Sequence, residues 1–567
     1  MKKWITSANP YMPLWEHVPD GEPRVFEHDG EKRVYVYGSH DTLVTEYCGL
    51  DYVVWSAPVD DLTDWKCHGT CYRSMSGNPL YAPDVVHKDG TYYMYVAEDR
   101  GSRVYVARSD VPWGPFTDPV LTDLGFDPGI LVDDDGRVYA YWGFCGSYAA
   151  ELDDDMATIK EGTLVSHLVG HANAPWTEDQ DHYDEKDAFF EASSPRKVNG
   201  RYVLVYSRRY AHEIPELGAY DGCNGFLSYK YSDSPLGGFV EGGDVSFNGG
   251  EIIPDAAAGG EIDSSGHVSG RGIMTYQWGN NHGSIMQVGD DWYVFYHRQT
   301  GANEYSRQAM LERIEVAEDA DGRLYIGAID REDGRPVGSR PVEMTSQGGH
   351  LDGLDAKCVI PAGYACHLYD GAGKSMYSVS SPDGAAGAAA DAGDDDGQKK
   401  SAERMKVVPV YTPESGLDPD VFEMMRTEGR VGKAASDGEI RYTIGIAHED
   451  AGVHSSPVIN VRNGSTIGFR YLQFGTDGAD EVTAWYGAHV GYAGLGKVIN
   501  DQAPQEVPGL TVLVRADGHD GEIVGCIGRS GEPCRLAQRL TGKRAIYFEF
   551  QSDDPERTFW FDRFTFD

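Results

Sequence analysis

The chain has 567 residues, of which 40% are hydrophobic and 25% are charged, and this composition excludes disorder for most of its length. Its 49 basic and 90 acidic residues give a net charge of −41. Electrostatic repulsion then excludes nucleic acid and anionic membrane surfaces as partners. The high counts of Gly and Tyr, 70 and 35, favour many short strands joined by tight turns.

The sequence also carries information about the compartment. No apolar run approaches the roughly 18 residues that span a bilayer. Lys2 and Lys3 resemble the start of a signal peptide, but no apolar stretch follows them before Asn9-Pro10. The nine cysteines are scattered and form no CxxC pair, which is typical of free thiols in a reducing compartment. We therefore expect a cytoplasmic protein whose substrate is a small neutral molecule.

A short run of β-branched and aromatic residues recurs five times in the first part of the chain. Each copy follows a turn containing Gly or Asp, as in a hairpin that enters a buried strand. The copies are Arg33–Ser39, Thr91–Val96, Arg137–Trp142, Arg201–Ser207 and Asp291–His297. They start 58, 46, 64 and 90 residues apart, and a period of about 40–65 residues indicates propeller blades. We interpret them as inner strands of a five-bladed β-propeller over residues 1–345, with a turn-rich β-sandwich as the alternative.

Residues 346–567 predict a second all-β domain. Alternating apolar runs are separated by turn clusters, which is typical of a β-sandwich. These runs are Ile440–Ile444, Thr466–Tyr471, Val482–Tyr486, Leu510–Val514 and Ala545–Phe550. Between about residues 370 and 406 large apolar side chains are scarce, so we expect a flexible segment there.

Three acidic residues occupy comparable places relative to the blades. Glu22 lies just before the first repeated strand, Asp127 before the third and Glu191 before the fourth. An acid in an apolar segment at the start of an inner strand points toward the axis of a propeller. The three carboxyl groups are therefore expected to meet in one cavity.

The acids belong to a set of five segments in a fixed order. The set begins with the acid-Pro pair Glu22-Pro23 and continues with Tyr81-Ala82-Pro83-Asp84, Phe126-Asp127-Pro128-Gly129, Phe190-Glu191-Ala192 and Asn281-His282-Gly283-Ser284. The ordered set, over about residues 9–345, resembles glycoside hydrolase family 43. This resemblance implies a five-bladed β-propeller that hydrolyses furanosides or xylosides with inversion. We expect an exo-acting α-L-arabinofuranosidase on short oligosaccharides. The alternatives are a β-xylosidase, a β-galactofuranosidase and a sugar-binding propeller without catalysis.

The resemblance also implies roles for the acids. Glu191 corresponds to the general acid, Asp127 to the carboxylate that tunes its pKa, and Glu22 to the general base. The family usually has Asp at the base position, and Asp20, two residues earlier, is the alternative. Inversion requires one protonated and one ionised carboxyl, about 6.5–9.5 Å apart. Desolvation by Phe189 and Phe190, together with an ionised Asp127, should raise the pKa of Glu191.

Other candidate residues surround this set. Tyr81, Trp55 and Trp142 are candidate walls on which a sugar stacks. Arg307 matches a family arginine on the floor of the site, where its guanidinium group can hold a carboxylate or sugar hydroxyls. The resemblance places His282 near the axis, where it helps to hold a water or a cation, often a structural calcium. We expect no cofactor requirement for the hydrolysis itself.

The second domain carries a resemblance of its own. It rests on Ile467-Gly468-Phe469-Arg470-Tyr471, Ala545-Ile546-Tyr547-Phe548 and Trp560-Phe561-Asp562-Arg563-Phe564. These segments are similar to carbohydrate-binding module family 6-like domains. Sugar binding and packing against the propeller are the two roles that this similarity leaves open, and we expect packing.

Overall fold

The computed structural model describes residues 2–5, 7–14, 16–41, 47–169, 189–210, 213–218, 223–264, 267–276, 278–299, 307–369, 405–407, 456–488 and 504–567. Within these ranges the regular structure is almost entirely antiparallel β-sheet, with three short 3-10 turns at Pro215–Leu217, Ala256–Ala258 and Ala362–Tyr364. None of the helical segments described is long and apolar enough to cross a membrane. The all-β class predicted from the sequence is confirmed.

Five sheets in the first part of the chain are meanders in which consecutive strands pair. Blade one contains β1 (Glu22–His28), β2 (Glu31–Gly38), β3 (Asp51–Pro58) and β4 (Lys66–Arg73). Blade two contains β5 (Asp84–Lys88), β6 (Thr91–Glu98), β7 (Arg103–Ser109) and β8 (Thr117–Leu121). Blade three contains β9 (Gly129–Val132), β10 (Val138–Trp142), β11 (Tyr148–Leu152) and β12 (Val165–Ser166). Blade four contains β13 (Phe189–Val198), β14 (Arg201–Arg208), β15 (Phe226–Ser232) and β16 (Val240–Phe247).

Four short strands separate blade four from blade five. They are β17 (Ile252–Pro254), β18 (Glu261–Ile262), β19 (Val268–Ser269) and β20 (Gly272–Met274), and they form two small hairpin sheets. This insertion explains the long interval before the fifth repeated run. Blade five has one extra strand and consists of β21 (Ser284–Val288), β22 (Asp291–Gln299), β23 (Arg307–Glu318), β24 (Leu324–Glu332) and β25 (Arg335–Arg340).

The first strands of the five sheets form a closed ring. In cyclic order β1 contacts β5, β5 contacts β9, β9 contacts β13, β13 contacts β21, and β21 contacts β1. This ring defines the five-bladed β-propeller predicted from the repeat. The repeated aromatic runs, however, are the second strands β2, β6, β10, β14 and β22, because each pairs with an axis-facing strand on one side and with the third strand on the other. Their interpretation as inner strands was wrong by one strand.

Apolar side chains pack between neighbouring blades and hold the ring together. The cluster that joins blade five to blade one includes Val36, Trp55, Phe295 and Leu311. Equivalent clusters join blade one to two, two to three and three to four. Because strand side chains alternate between two faces, each blade can bury one face against the blade before it and the other against the blade after it.

The remaining strands build the predicted β-sandwich. In chain order they are β26 (Leu354–Asp355), β27 (Ile360–Pro361), β28 (His367–Tyr369), β29 (Lys406–Val407), β30 (Val458–Val461), β31 (Thr466–Gln473), β32 (Ala479–Ala488), β33 (Gln505–Glu506), β34 (Leu510–Ala516), β35 (Glu522–Ile527), β36 (Arg529–Ser530), β37 (Cys534–Leu540), β38 (Lys543–Ser552) and β39 (Phe559–Phe566). One sheet contains β26, β28, β31, β38, β34 and β35, and the other contains β27, β29, β30, β39, β32 and β37. The predicted strand at Ile440–Ile444 and most of the segment at 370–406 lie outside the described residues.

The sandwich and the propeller share one buried apolar cluster, which runs from blades four and five into the sandwich. Polar contacts reinforce this junction. The buried Arg298 of β22 donates from Nη1 to the carbonyl of Ala365 at 2.5 Å and from Nη2 to that of Gly363 at 2.7 Å. The backbone N–H of Ile5 donates to the carbonyl of Val359, so the start of the chain also contacts the sandwich.

Candidate active site

A cavity of about 330 Å³ opens where the inner strands of the propeller begin. Its walls combine charged, amide and aromatic side chains, and its volume lies at the lower end of the range for small-molecule sites. The lining residues are Asp20, Tyr47, Cys48, Tyr81, Ala82, Phe126, Asp127, Phe144, Phe190, Glu191, Asn224, Asn280, His282 and Arg307.

A common position on the inner strands explains how residues far apart in sequence reach this cavity. Asp20, Ala82, Asp127 and His282 each lie two residues before the first residue of an inner strand, namely β1, β5, β9 and β21. The ring of strands brings these four positions around the axis. Four blades therefore each supply one residue to the same end of the propeller.

Blade four reaches the cavity through a β-bulge. Glu191 pairs with Ser207 and Ser194 pairs with Val205, so three residue steps on β13 oppose two on β14. Ala192 lies within this bulge, and its backbone is in the left-handed region with a φ of 69°. A bulge of this kind re-aims the neighbouring side chain. Here it turns Glu191 into the cavity.

The carboxyl group of Asp20 is held in its ionised form. Arg307 Nη1 donates to Asp20 Oδ1 at 2.9 Å, and the Ser39 hydroxyl donates to Oδ2. Burial raises the pKa of Asp20, but Arg307 and the hydrogen bonds outweigh it and lower the pKa to about 2. Arg307 is itself fixed by Asp41, which accepts from Nε and Nη2 at 2.9 Å each. Asp20 is therefore an anion at neutral pH.

The pKa of Glu191 is shifted in the opposite direction from that of Asp20. Burial and the nearby negative charge of Asp20 raise its pKa to about 7, and a hydrogen bond from Asn280 Nδ2 at 3.4 Å opposes this rise. Burial and Glu191 also raise the pKa of Asp127 well above its usual range. Because Asp127 and Glu191 interact, each titration step is a property of the pair and not of one residue alone. The expectation of a simply ionised Asp127 is replaced by a pair that retains a proton near neutral pH.

Glu22 does not share this cavity, so the expectation that it faces Glu191 was wrong. As the first residue of β1 it lies one layer deeper along the axis, where Arg196 Nη2 donates to Oε1 at 2.5 Å. Ser194 Oγ lies 2.9 Å from Oε2, and Arg24 Nη2 lies 3.4 Å from Oε1. A shift of two residues along a strand keeps a side chain on the same face. The alternation therefore gave no means of choosing between Asp20 and Glu22.

The structure separates the other candidates. Tyr81 and Arg307 line the cavity, but Trp55 and Trp142 do not. Trp55 is fully buried between blades five and one, and its indole N–H donates to Glu16 Oε2 at 3.3 Å. Trp142 is buried between blades two and three and stacks on Tyr148. Both tryptophans are core residues, because each lies on the face of its blade that packs against the preceding blade.

His282 lies at the axis, as expected, with Nδ1 3.7 Å from Asp20 Oδ1 and 3.7 Å from Asp127 Oδ2. Burial lowers its pKa to about 4, so the imidazole is neutral. A calcium ion requires six to eight oxygen ligands. Among the residues described, no group of three or more His, Cys, Asp or Glu side chains is arranged to hold a metal. The structural calcium that the resemblance implied near His282 stays a prediction.

Sequence reasoning missed several residues of the site. Phe144 forms an aromatic row with Phe126 and Phe190, with ring centroids 5.2 Å apart in both pairs. Asn280 and Asn224 place amide groups in the wall. The segment Gly279-Asn280-Asn281 beside His282 was a signal for Asn280, but nothing local marks Phe144 or Asn224 as cavity residues.

The fold and the site together define a class. A pocket that holds one ionised and one protonated carboxyl is the arrangement with which glycoside hydrolases cleave a glycosidic bond. Comparison with known sequences identifies the family: the profile of glycosyl hydrolases family 43 matches residues 20–237. A xylosidase/arabinosidase of Thermoclostridium stercorarium is 36% identical over 401 residues, which cover 65% of this chain and 73% of the relative. The chain belongs to glycosyl hydrolase family 43.

More distant relatives extend the comparison. An arabinoxylan arabinofuranohydrolase of Paenibacillus polymyxa is 27% identical over 361 residues, covering 54% of this chain and half of the relative's length. The crystal structure of a family 43 arabinoxylan arabinofuranohydrolase from Bacillus subtilis aligns with 100% of this chain and 98% of its own, at 18% identity and a TM-score of 0.40.

Proposed function

We propose that this glycoside hydrolase is an inverting, exo-acting α-L-arabinofuranosidase that releases terminal L-arabinofuranose from short oligosaccharides. The observation that carries the proposal is that Asp20 and Glu191 line one cavity of limited volume. Their surroundings move their pKa values apart, to about 2 for Asp20 and about 7 for Glu191. An exo-acting enzyme needs a pocket that receives the end of a chain. His282 and Arg307 line this cavity, where they can contact the hydroxyls of a terminal sugar.

In this proposal the two carboxyls divide the proton transfers. Glu191 donates its proton to the glycosidic oxygen as the bond to the anomeric carbon breaks. Asp20 accepts a proton from a water that attacks the anomeric carbon from the opposite face, so the configuration inverts. Arg307 keeps Asp20 ionised between turnovers, and Asp127 shares the proton of Glu191. The base role thus passes from Glu22 to Asp20.

A β-xylosidase is the second candidate. The relative from Thermoclostridium stercorarium is named for both activities, and that from Paenibacillus polymyxa for arabinofuranose release from arabinoxylan. Both sugars are uncharged pentoses, in agreement with the row of Phe126, Phe144 and Phe190 along the wall. Preference for arabinofuranose rests on the contacts of single hydroxyls, each of which can contribute strongly to discrimination.

A panel of p-nitrophenyl glycosides tests the proposal. We expect the highest kcat/KM on α-L-arabinofuranoside, a lower value on β-D-xylopyranoside and little on β-D-galactofuranoside. Proton NMR of the first product on a natural oligosaccharide should show inversion. Preference for the xyloside would select the second candidate. Binding of sugars without turnover of any glycoside would make the chain a sugar-binding propeller.

The base assignment has its own test. Asp20→Ala should abolish hydrolysis of natural oligosaccharides, and azide should restore turnover of an aryl glycoside by occupying the space that the carboxylate leaves. The azide product should carry the inverted configuration. Failure of azide rescue in Asp20→Ala, together with rescue in Glu22→Ala, would return the base role to Glu22.

A further inference from the structure

His297 is a buried imidazole that sequence reasoning did not associate with the site. It belongs to β22 and lies on the same face as Phe295, which packs toward blade one, whereas Tyr296 packs on the opposite face. The side chain is completely buried. Its two ring nitrogens contact the backbone of two residues of the cavity, Asp20 and Asn280.

The chemistry of these partners determines the tautomer. The backbone N–H of Asp20 can only donate, so His297 Nδ1, 3.3 Å away, accepts with its lone pair. The backbone carbonyl of Asn280 can only accept, so His297 Nε2 carries the hydrogen and donates to it. Burial, with a smaller contribution from Arg307, lowers the pKa of His297 to about 3. The imidazole is therefore neutral, with one acceptor and one donor used.

These two bonds connect opposite sides of the reaction centre. Asp20 carries the carboxylate that we propose as the base, and its backbone has a φ of 56°, which is uncommon for a residue with a Cβ. Asn280 donates from its side chain to Glu191 Oε1. One imidazole thus holds the backbone of the base and the backbone of the residue that contacts the acid.

We propose that His297 is a positioning residue, whose Nδ1 holds the Asp20 backbone so that its carboxylate and that of Glu191 keep the separation that admits one water. The proposal rests on the assignment of Asp20 as the base. Ser39 and Arg307 fix the carboxylate, but the bond from His297 is the contact that fixes the peptide N–H. Without it the peptide between Pro19 and Asp20 can rotate and carry the carboxylate away from the water.

Two near-isosteric substitutions separate the two bonds. In His297→Asn, Oδ1 takes the place of Nδ1 and can still accept from the Asp20 N–H. In His297→Gln, the amide Nε2 takes the place of the ring Nε2, so the donor to Asn280 remains and the acceptor is lost. His297→Leu removes both bonds. Tyr296→Phe, on the opposite face of the same strand, is the control for disturbance of β22.

The measurements are kcat and KM on the best aryl glycoside, taken below the melting temperature of every variant. We expect His297→Asn to retain kcat within about tenfold, and both His297→Gln and His297→Leu to lose about 10²-fold, as expected for a misplacement of about 1 Å. KM should change by less than threefold, and Tyr296→Phe should match the wild type.

Equal kcat in the Asn and Gln variants, or a loss confined to KM, would overturn the positioning role while leaving the proposed function intact. Should the Gln variant not fold, the comparison of Asn with Leu decides in the same way. A wild-type enzyme without turnover of any glycoside would instead overturn the proposed function, and the positioning role with it.

Discussion

Replacing Glu22 separates a role in stability from a role in catalysis. Glu22 is 3% exposed, and its carboxylate is contacted by Arg196, Arg24 and Ser194. Glu22→Gln leaves the buried guanidinium of Arg196 without its anionic partner, and breaking such a pair costs about 3–5 kcal/mol. With an unfolding entropy of about 2.1 cal/mol/K per residue over roughly 340 residues, the melting temperature should fall by about 4–7 °C.

The catalytic effect should be small, because Glu22 does not line the cavity. We expect kcat of Glu22→Gln within about fivefold of the wild type at 25 °C. The matched variant Asp20→Asn should keep its melting temperature more closely and lose about 10²–10⁴-fold in kcat, the contribution of a general base. Calorimetry and kinetics on the same preparations check both expectations. A Glu22→Gln enzyme that melts like the wild type yet is as inactive as Asp20→Asn would refute this division of roles.

Three further predictions concern the proton on Glu191. Wild-type kcat/KM should fall above about pH 7, because Glu191 must be protonated and its pKa is about 7. Asn280→Ala removes a hydrogen bond that lowers this pKa, so the alkaline limb of the pH profile should move to higher pH. A shift to lower pH would contradict the assignment. Glu191→Gln should lose most activity on natural oligosaccharides and less on aryl glycosides with good leaving groups, since these need little protonation; equal losses on both would remove Glu191 as the acid. Asp127→Asn should reduce kcat without loss of the fold. It should also move the alkaline limb to lower pH, because in the wild type the loss of the last proton from the Asp127–Glu191 pair leaves two neighbouring negative charges, and Asn removes one of them. Wild-type kcat and an unchanged pH profile would exclude a role for Asp127 in the proton transfer.

The sequence predicted the number of blades because the second strand of every blade combines a turn with an aromatic and β-branched run. It did not predict the depth of a side chain along the axis. In an extended chain Glu22 and Asp20 would lie on the same face, and the choice between them depends on where β1 begins, which is at Glu22. The acid-Pro pairing of Glu22 matched a motif, but motif identity is local and depth is set by the whole ring.

Burial between blades was equally invisible in the sequence. Trp55 and Trp142 have the composition of sugar-stacking residues, yet both face an adjacent blade. Glu191 was predicted without knowledge of the bulge that turns it inward. His297 depends on a contact across 277 positions of the chain, and such a contact has no local signature.

Each of the five blades places a residue at a comparable axis-facing position near the start of its inner strand, and at one of these positions the side chain is very small. Blades one, three, four and five supply Asp20, Asp127, Glu191 and His282, whereas blade two supplies the methyl group of Ala82. A larger side chain at position 82 would enter the cavity without replacing any charged group. Blade two is therefore the place where the depth of the pocket, and with it the size of the sugar accepted, can vary while the proton-transferring groups remain untouched.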